Sequence, residues 1–383
     1  MINTIYLDNQ ATTATDPAVT REILPFFTDV FANPASFNQP SLRANSVVEN
    51  GRAVIADIIN CQPNEIIFTS GATESINMAI KGLFPCNSLG HIVTVKSEHS
   101  AVLASCRHLE RQGVSVTYLD VTENGLINLE TLSNAITDRT KLVAVMEVNN
   151  EIGVIQPIDE IGKICRQKNI PFFVDAAQSF GKLKIDVDHS NISMLAISGH
   201  KIYAPKGIGS LYIKKKMKNQ ITPLIHGGGQ ENWMRSGTLN VPGIVGLAKA
   251  AEIAANEMEV EQERILSLRN LFLKIIREQM VDVFVNGDLE KRIAGNLNLS
   301  FKNVSGDVLM NRLENIIVSR GSACNSSKNQ GSHVLKAIGL SDDLADSAIR
   351  ISIGRFTTKE EIIFAAHRIS SIVNDIRKIS TTA

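Results

Sequence analysis

Pro171-Phe172-Phe173-Val174-Asp175-Ala176-Ala177-Gln178 and Met194-Leu195-Ala196-Ile197-Ser198-Gly199-His200-Lys201 are two apolar runs, each free of charge until it delivers polar side chains at its end. Short runs of this kind fit strands covered on both faces. Comparable runs stand at Glu65–Ser70, His91–Lys96, Ser115–Leu119, Lys141–Val148 and Gly209–Ile213, with helical patterns between them. In Asp159–Lys168, for example, Ile158, Ile161, Ile164 and Cys165 recur at helical spacing, Asp159 can cap, and Asn169 with Pro171 stops the run. Strands alternating with helices predict an α/β fold built on a mostly parallel sheet.

The pattern changes after about Asn240. Val241–Met280 reads as one long helix, and strand-like pieces follow at Val283–Asn286 and Asn296–Phe301, then a loop at Ser319–Ser332. A closing helix opens on Thr358-Lys359-Glu360-Glu361, which has the capping-box spacing. The 383 residues exceed the ~250–300 at which one core stops growing. We therefore expect a large domain over residues 15–255 and a smaller one formed by residues 1–14 and 256–383.

Composition narrows the function. Lys plus Arg and Asp plus Glu number 39 each, so there is no broad electrostatic field for nucleic acid. No stretch reaches the ~18 apolar residues of a membrane span, and the N-terminus lacks the basic and apolar regions of a secretory signal. Five scattered cysteines (Cys61, Cys86, Cys106, Cys165, Cys324) form no CxxC pair and no metal-ligand pattern, which suggests a reducing cytoplasm. No direct nucleic-acid, membrane or metal partner is expected.

Three strand ends carry the chemistry. Phe68-Thr69-Ser70-Gly71-Ala72-Thr73-Glu74-Ser75 leads from a strand into a helix, where free N–H groups and the Thr73 and Ser75 hydroxyls could hold a phosphate; a plain helix cap would read the same way. Asp175, at the end of a buried strand, calls for a cationic partner. Lys201, after another apolar strand, can form a Schiff base if its surroundings lower its pKa. Together these are the needs of pyridoxal 5'-phosphate: an amine, a carboxylate for the pyridinium nitrogen and a phosphate site.

The wording and order of the motifs extend this reading. Leu7-Asp8-Asn9-Gln10-Ala11-Thr12-Thr13, Asn33-Pro34-Ala35-Ser36, Glu98-His99, Asn149-Asn150-Glu151-Ile152-Gly153, Arg235-Ser236-Gly237-Thr238, Gly321-Ser322-Ala323-Cys324 and Ser347–Thr358 accompany the three strand ends. The chain from about Tyr6 to Arg377 resembles the cysteine desulfurases of the NifS/IscS type, in the class V aminotransferase group. The resemblance implies a pyridoxal-phosphate transferase of fold type I, with a smaller α+β C-terminal domain, working as a homodimer. It implies that Lys201 holds the cofactor, Asp175 pairs with its ring nitrogen, Gln178 bonds the ring hydroxyl, and His99 stacks on the ring and assists proton transfer. Ala72, Thr73, Ser198 and His200 would hold the phosphate, with Thr238 of the neighbouring subunit. Asn150 and Arg350 would take the substrate carboxylate, Arg350 through its planar fork. Cys324, in a small polar loop, would accept sulfur as a persulfide.

The resemblance further implies conversion of L-cysteine to L-alanine, with sulfur passed to acceptor proteins of iron–sulfur assembly, tRNA thiolation or DNA sulfur modification. Phe37-Asn38-Gln39-Pro40 stands where the family often has a His, Asn325 replaces the usual Thr, and only Ile379–Ala383 follow the closing helix. The family's housekeeping members carry a longer tail, so a specialised sulfur pathway is one expectation. Two other readings stay open: another class V enzyme, such as a selenocysteine lyase or aminotransferase, and a non-catalytic scaffold. Alanine formed without a keto acid, and a yellow protein, separate them.

Overall fold

The computed structural model describes residues 4–85, 88–320 and 331–382. The strands, in chain order, are β1 (Ile5–Tyr6), β2 (Ile66–Thr69), β3 (His91–Val95), β4 (Ser115–Leu119), β5 (Thr140–Met146), β6 (Phe172–Asp175), β7 (Met194–Ser198), β8 (Gly209–Ile213), β9 (Val283–Val285), β10 (Asn296–Phe301), β11 (Ile316–Ile317) and β12 (Ile349–Ser352). Seven of them form one sheet, ordered β2-β8-β7-β6-β5-β3-β4. The pairs from β4 through β7 are parallel, while β8 runs antiparallel to both β7 and β2.

Alternation along these strands builds the core on both faces of the sheet. Phe172, Val174, Leu195 and Ile197 join one apolar cluster, and Phe173, Met194 and Ala196 join the other. Nothing polar interrupts either set until Asp175 and Ser198, where the strands end.

One expected cap is corrected. The helix predicted from Asp159 spans Ile158–Gln167, with Pro157 at its N-cap position and no side-chain cap. Proline fixes the backbone one residue early, and Asp159 instead accepts a hydrogen bond from Ser190 Oγ at 2.5 Å.

The helix Val241–Gln279 is continuous, started by Asn240, whose Oδ1 accepts Gly243 N–H at 3.1 Å. Its first half supplies Ile244, Val245 and Leu247 to the sheet's core. Its second half supplies Leu268, Phe272 and Ile276 to another core, shared with Ile5, Leu7, Leu297, Phe301, Ile349 and Ile369. This second core covers an antiparallel sheet, β12-β10-β9. The closing helix has the anticipated capping box: Thr358 N–H donates to Glu361 Oε2 at 2.9 Å, and Glu361 N–H to Thr358 Oγ1 at 3.2 Å.

The N-terminal segment joins the two bodies. β1 pairs in parallel with β11, Ser352 N–H donates to Leu7 O, and Thr13 N–H donates to His200 O. Residues between these anchors lie over the ends of β6 and β7, beside Lys201.

Candidate active site

A cavity of about 430 Å³ opens beyond the carboxyl ends of β5, β6 and β7, where open α/β sheets bind ligands. Ala72, Thr73, His99, Asn150, Asp175, Gln178, Ser198, His200, Lys201 and Arg350 all reach it. The fold thus gathers ten residues named from the sequence. Thr238 is exposed and belongs to another part of this chain's surface, and Cys324 lies outside the described residues.

One end of the cavity is the start of helix Ala72–Gly82. Gly71 precedes it at φ 148°, a conformation that side chains rarely adopt, and a Cβ there would meet nothing within 4 Å. The space beside the free N–H groups is therefore open to an anion. Ser75 departs from expectation. It is fully buried, shares a hydrogen bond with Thr69 Oγ1 at 2.8 Å and donates to Ser210 O at 3.0 Å. Two positions along the helix, roughly half a turn, rotate it into the core, so Thr73 alone of the two hydroxyls faces the cavity. His200 Nδ1 lies 3.0 Å from Thr12 Oγ1. Burial, with Lys201, Lys206 and Lys182 nearby, pulls its pKa down to about 4. Glu74 ties the rim together, bonded to Ser70 N and Arg235 Nε at 2.8 Å each.

At the other end, Lys201 follows β7 on a tight turn and donates to the carbonyls of Gln10 and Ala11 at 2.6 Å each. Asp175 is 4% exposed, and its Oδ1 accepts Ala177 N–H at 3.0 Å. Burial raises its pKa, against the opposing pull of His99 and Lys201. Gln178 Nε2 donates to Gln10 O at 2.9 Å. His99 caps helix Ser100–Glu110, its Nδ1 accepting Ala101 N–H at 3.2 Å, which assigns the ring proton to Nε2.

The third wall carries a buried arginine. Arg350 is 1% exposed. Its Nη1 donates to Asn150 O at 2.8 Å and its Nη2 to Asp8 Oδ1 at 2.6 Å. Arg350 Nε and Asn150 Oδ1 are buried with no partner among the described residues; such orphans are costly unless a ligand answers them.

Pyridoxal phosphate fits these residues. The open cradle at Gly71 suits a phosphate, the buried carboxylate of Asp175 suits a cationic ring nitrogen, and Lys201 supplies the amine.

Two neighbours of the cavity escaped the sequence reading. Asp8 neutralises Arg350 and accepts Ser319 Oγ at 2.7 Å. Glu98 is 1% exposed, accepts Met146 N–H at 2.6 Å, and burial raises its carboxyl well above the usual range. Both sit inside quoted motifs, but only the fold shows whom they touch.

Comparison with known proteins places these features in context. The Aminotransferase class-V family model matches residues 5–363. "Cysteine desulfurase IscS" of Rickettsia bellii (strain OSU 85-389) is 53% identical over 383 residues, covering 99% of this chain and 93% of that protein. Among solved structures, a "NifS-like protein" superposes with a TM-score of 0.91 at 36% identity, covering 97% of this chain and 100% of that one. "SspA in complex with cysteine" follows with a TM-score of 0.83 at 40% identity, over 93% of this chain and 100% of that one.

Proposed function

We infer from a chain that belongs to the class V aminotransferase family how its cavity is used. The enzyme is a pyridoxal-phosphate-dependent cysteine desulfurase, converting L-cysteine to L-alanine and moving the sulfur to an enzyme cysteine as a persulfide. When bound, the cofactor supplies an electron sink for the substrate's Cα.

The carrying observation is the placement of Lys201 and Asp175 at the ends of β7 and β6, with Arg350 across the same cavity. Lys201 holds the cofactor and exchanges protons through Nζ. Asp175 faces the ring nitrogen, whose positive charge offsets the cost of ionising a buried carboxylate. His99 presents its ring and moves a proton at Nε2, while Gln178 bonds the ring hydroxyl. Ala72, Thr73, Ser198 and His200 bind the phosphate. Arg350 and Asn150 orient the substrate carboxylate, leaving its thiol for attack.

In the transfer step the Cys324 thiolate attacks the substrate sulfur. The S–S bond forms, the Cβ–S bond breaks with its electron pair left on carbon, and that carbon takes a proton to become the methyl of alanine. Thiol plus cysteine gives persulfide plus alanine, so no outside oxidant is needed.

We place the domain division at residues 15–255 against 1–14 with 256–383, supported by the two cores. A homodimer accounts for exposed Phe27, Phe31, Phe37 and Trp233, and for Thr238 serving a neighbour's phosphate. Cys61, Cys106 and Cys165 are free thiols, and no helix among the described residues is long and apolar enough to cross a membrane. Both support work in a reducing cytoplasm. The acceptor we propose is a protein thiol, on an iron–sulfur scaffold or a tRNA- or DNA-sulfur-modification protein.

Cys324→Ser tests the reading. The variant should bind cofactor and show a cysteine-dependent change in absorbance, yet release almost no sulfide. Wild-type enzyme given cysteine without reductant should carry the persulfide on the Cys324 peptide. Mass spectrometry finding it on Cys61, Cys86, Cys106 or Cys165 overturns the assignment.

A further inference from the structure

Lys182 is a second amine close to the site, and it has no part in the chemistry above. The chain leaving β6 folds into tight turns, Phe180 N–H donating to Ala176 O and Lys182 N–H to Ser179 O at 2.9 Å each, with Gly181 at φ 72°. The turns bring two side chains four residues apart together, and Lys182 Nζ donates to Gln178 Oε1 at 3.4 Å. The other end of that amide is held too. Gln178 Nε2 donates to Gln10 O, the same oxygen that accepts Lys201 Nζ at 2.6 Å.

A small cavity of about 30 Å³ runs beside this chain of contacts, with Gln10, Thr13, Lys182, Lys201, Tyr203 and Glu261 in its wall. Glu261 is already committed elsewhere, its Oε2 accepting Arg355 Nε at 2.7 Å. Burial lowers the pKa of Lys182 to about 8 against the pull of Glu261, so at pH 7 the group is an ammonium with three protons and no acceptor.

That chemistry decides which way the Gln178 amide points. An amide offers an acceptor at one end and two protons at the other, and it can turn end for end with little change of shape. Lys182 can only donate, and Gln10 O can only accept. Both demand the same orientation.

We propose that Lys182 is a positioning residue for the cofactor: by donating to Oε1 it clamps the Gln178 amide with Nε2 on the side of Gln10 and the active-site cavity. One Nε2 proton goes to Gln10 O, leaving the second for the ring hydroxyl. Without Lys182 the amide is held at one end only, and ordering it becomes part of the cost of binding. The proposal rests on the reading of Gln178 as the partner of the ring hydroxyl.

A double-mutant cycle tests it, with affinity as the readout. Holoenzymes carrying Lys182→Met, Gln178→Leu, both changes, or Lys182→Arg are dialysed at pH 7 against graded free pyridoxal phosphate. The bound fraction is read from its absorbance. We expect Lys182→Met to raise the dissociation constant about tenfold, the scale of one lost hydrogen bond to a charged group. In the Gln178→Leu background the same change should add less than about twofold, because the amide it acts through is gone. Lys182→Arg keeps a cationic donor and should restore most of the affinity. An equal loss from Lys182→Met in both backgrounds overturns the proposal, since the lysine then acts by charge or packing rather than through the amide. Wild-type affinity in Lys182→Met overturns it as well. Wild-type affinity in Gln178→Leu overturns the assignment of Gln178 and this proposal with it. Should Lys182→Met fail to fold, Lys182→Gln takes its place in the cycle.

Discussion

Asp175 and Glu147 sit side by side at the carboxyl ends of neighbouring strands, Glu147 N–H donating to Asp175 O at 3.1 Å. The position of Asp175 at the end of a buried strand was legible in the sequence, though a helix cap or structural hydrogen bond read equally well there, and its Oδ1 does accept Ala177 N–H. Its replacement by Asn keeps the shape and removes the charge proposed to face the ring nitrogen. Turnover at saturating cofactor and cysteine should fall on the order of 10²-fold, typical of a lost preorganised electrostatic partner. Glu147 was not legible, since nothing in Met146-Glu147-Val148 says which way the carboxyl turns. Burial pushes its pKa from 4.5 to about 7. The folded state therefore holds this proton more tightly than the unfolded chain does. The stabilisation is complete below pH 4.5 and is lost as the pH rises through 7, by about 3 kcal/mol at most. Glu147→Gln should thus raise the denaturant midpoint relative to wild type at pH 8 and leave it nearly unchanged at pH 4.5. Equal shifts at both values would exclude ionisation as the cause.

Elements were readable wherever one local signal sufficed. Met194–Ser198 and Gly209–Ile213 form as expected because their apolar runs are covered on both faces, and Ser115–Leu119 forms as a half-exposed strand at the sheet edge. Sheet order was not readable: β8 turns back antiparallel on its chain neighbour β7 and pairs on its other side with β2, from much earlier in the chain. Close approaches between elements are equally invisible from sequence. Gly162 lies inside helix Ile158–Gln167, where alanine would ordinarily gain ~1 kcal/mol. A Cβ there would stand 1.9 Å from Ser190 O, a backbone atom that cannot swing aside. Gly162→Ala should therefore destabilise the protein by ~1–3 kcal/mol, read as a lower melting temperature. An unchanged or higher Tm would mean that the turn at Ser190 yields freely.

At the scale of the molecule, the proposed dimer makes a prediction that no single subunit can satisfy. Lys201→Ala removes the amine but keeps Thr238, and Thr238→Val does the reverse. If the threonine serves the opposite cavity, mixed dimers contain one cavity with both groups. Co-refolded variants should recover cofactor retention and desulfurase activity that neither shows alone, whereas no recovery would place Thr238 outside the neighbour's site. The second core shows why whole-chain organisation was harder to read: Ile5 and Leu7 pack with Ile349 and Ile369, a pairing that periodicity cannot express. The parallel pairing of Ile5 with Ile316 carries this furthest. Translation at ~5–20 residues per second leaves β1 without β11 for roughly a quarter of a minute to a minute. Throughout that wait the nascent chain exposes an unpaired apolar edge, and the carbonyls that receive Lys201 have no fixed address. Competence for cofactor capture therefore belongs to the finished chain, and the cell must shelter its first dozen residues until the last third has emerged.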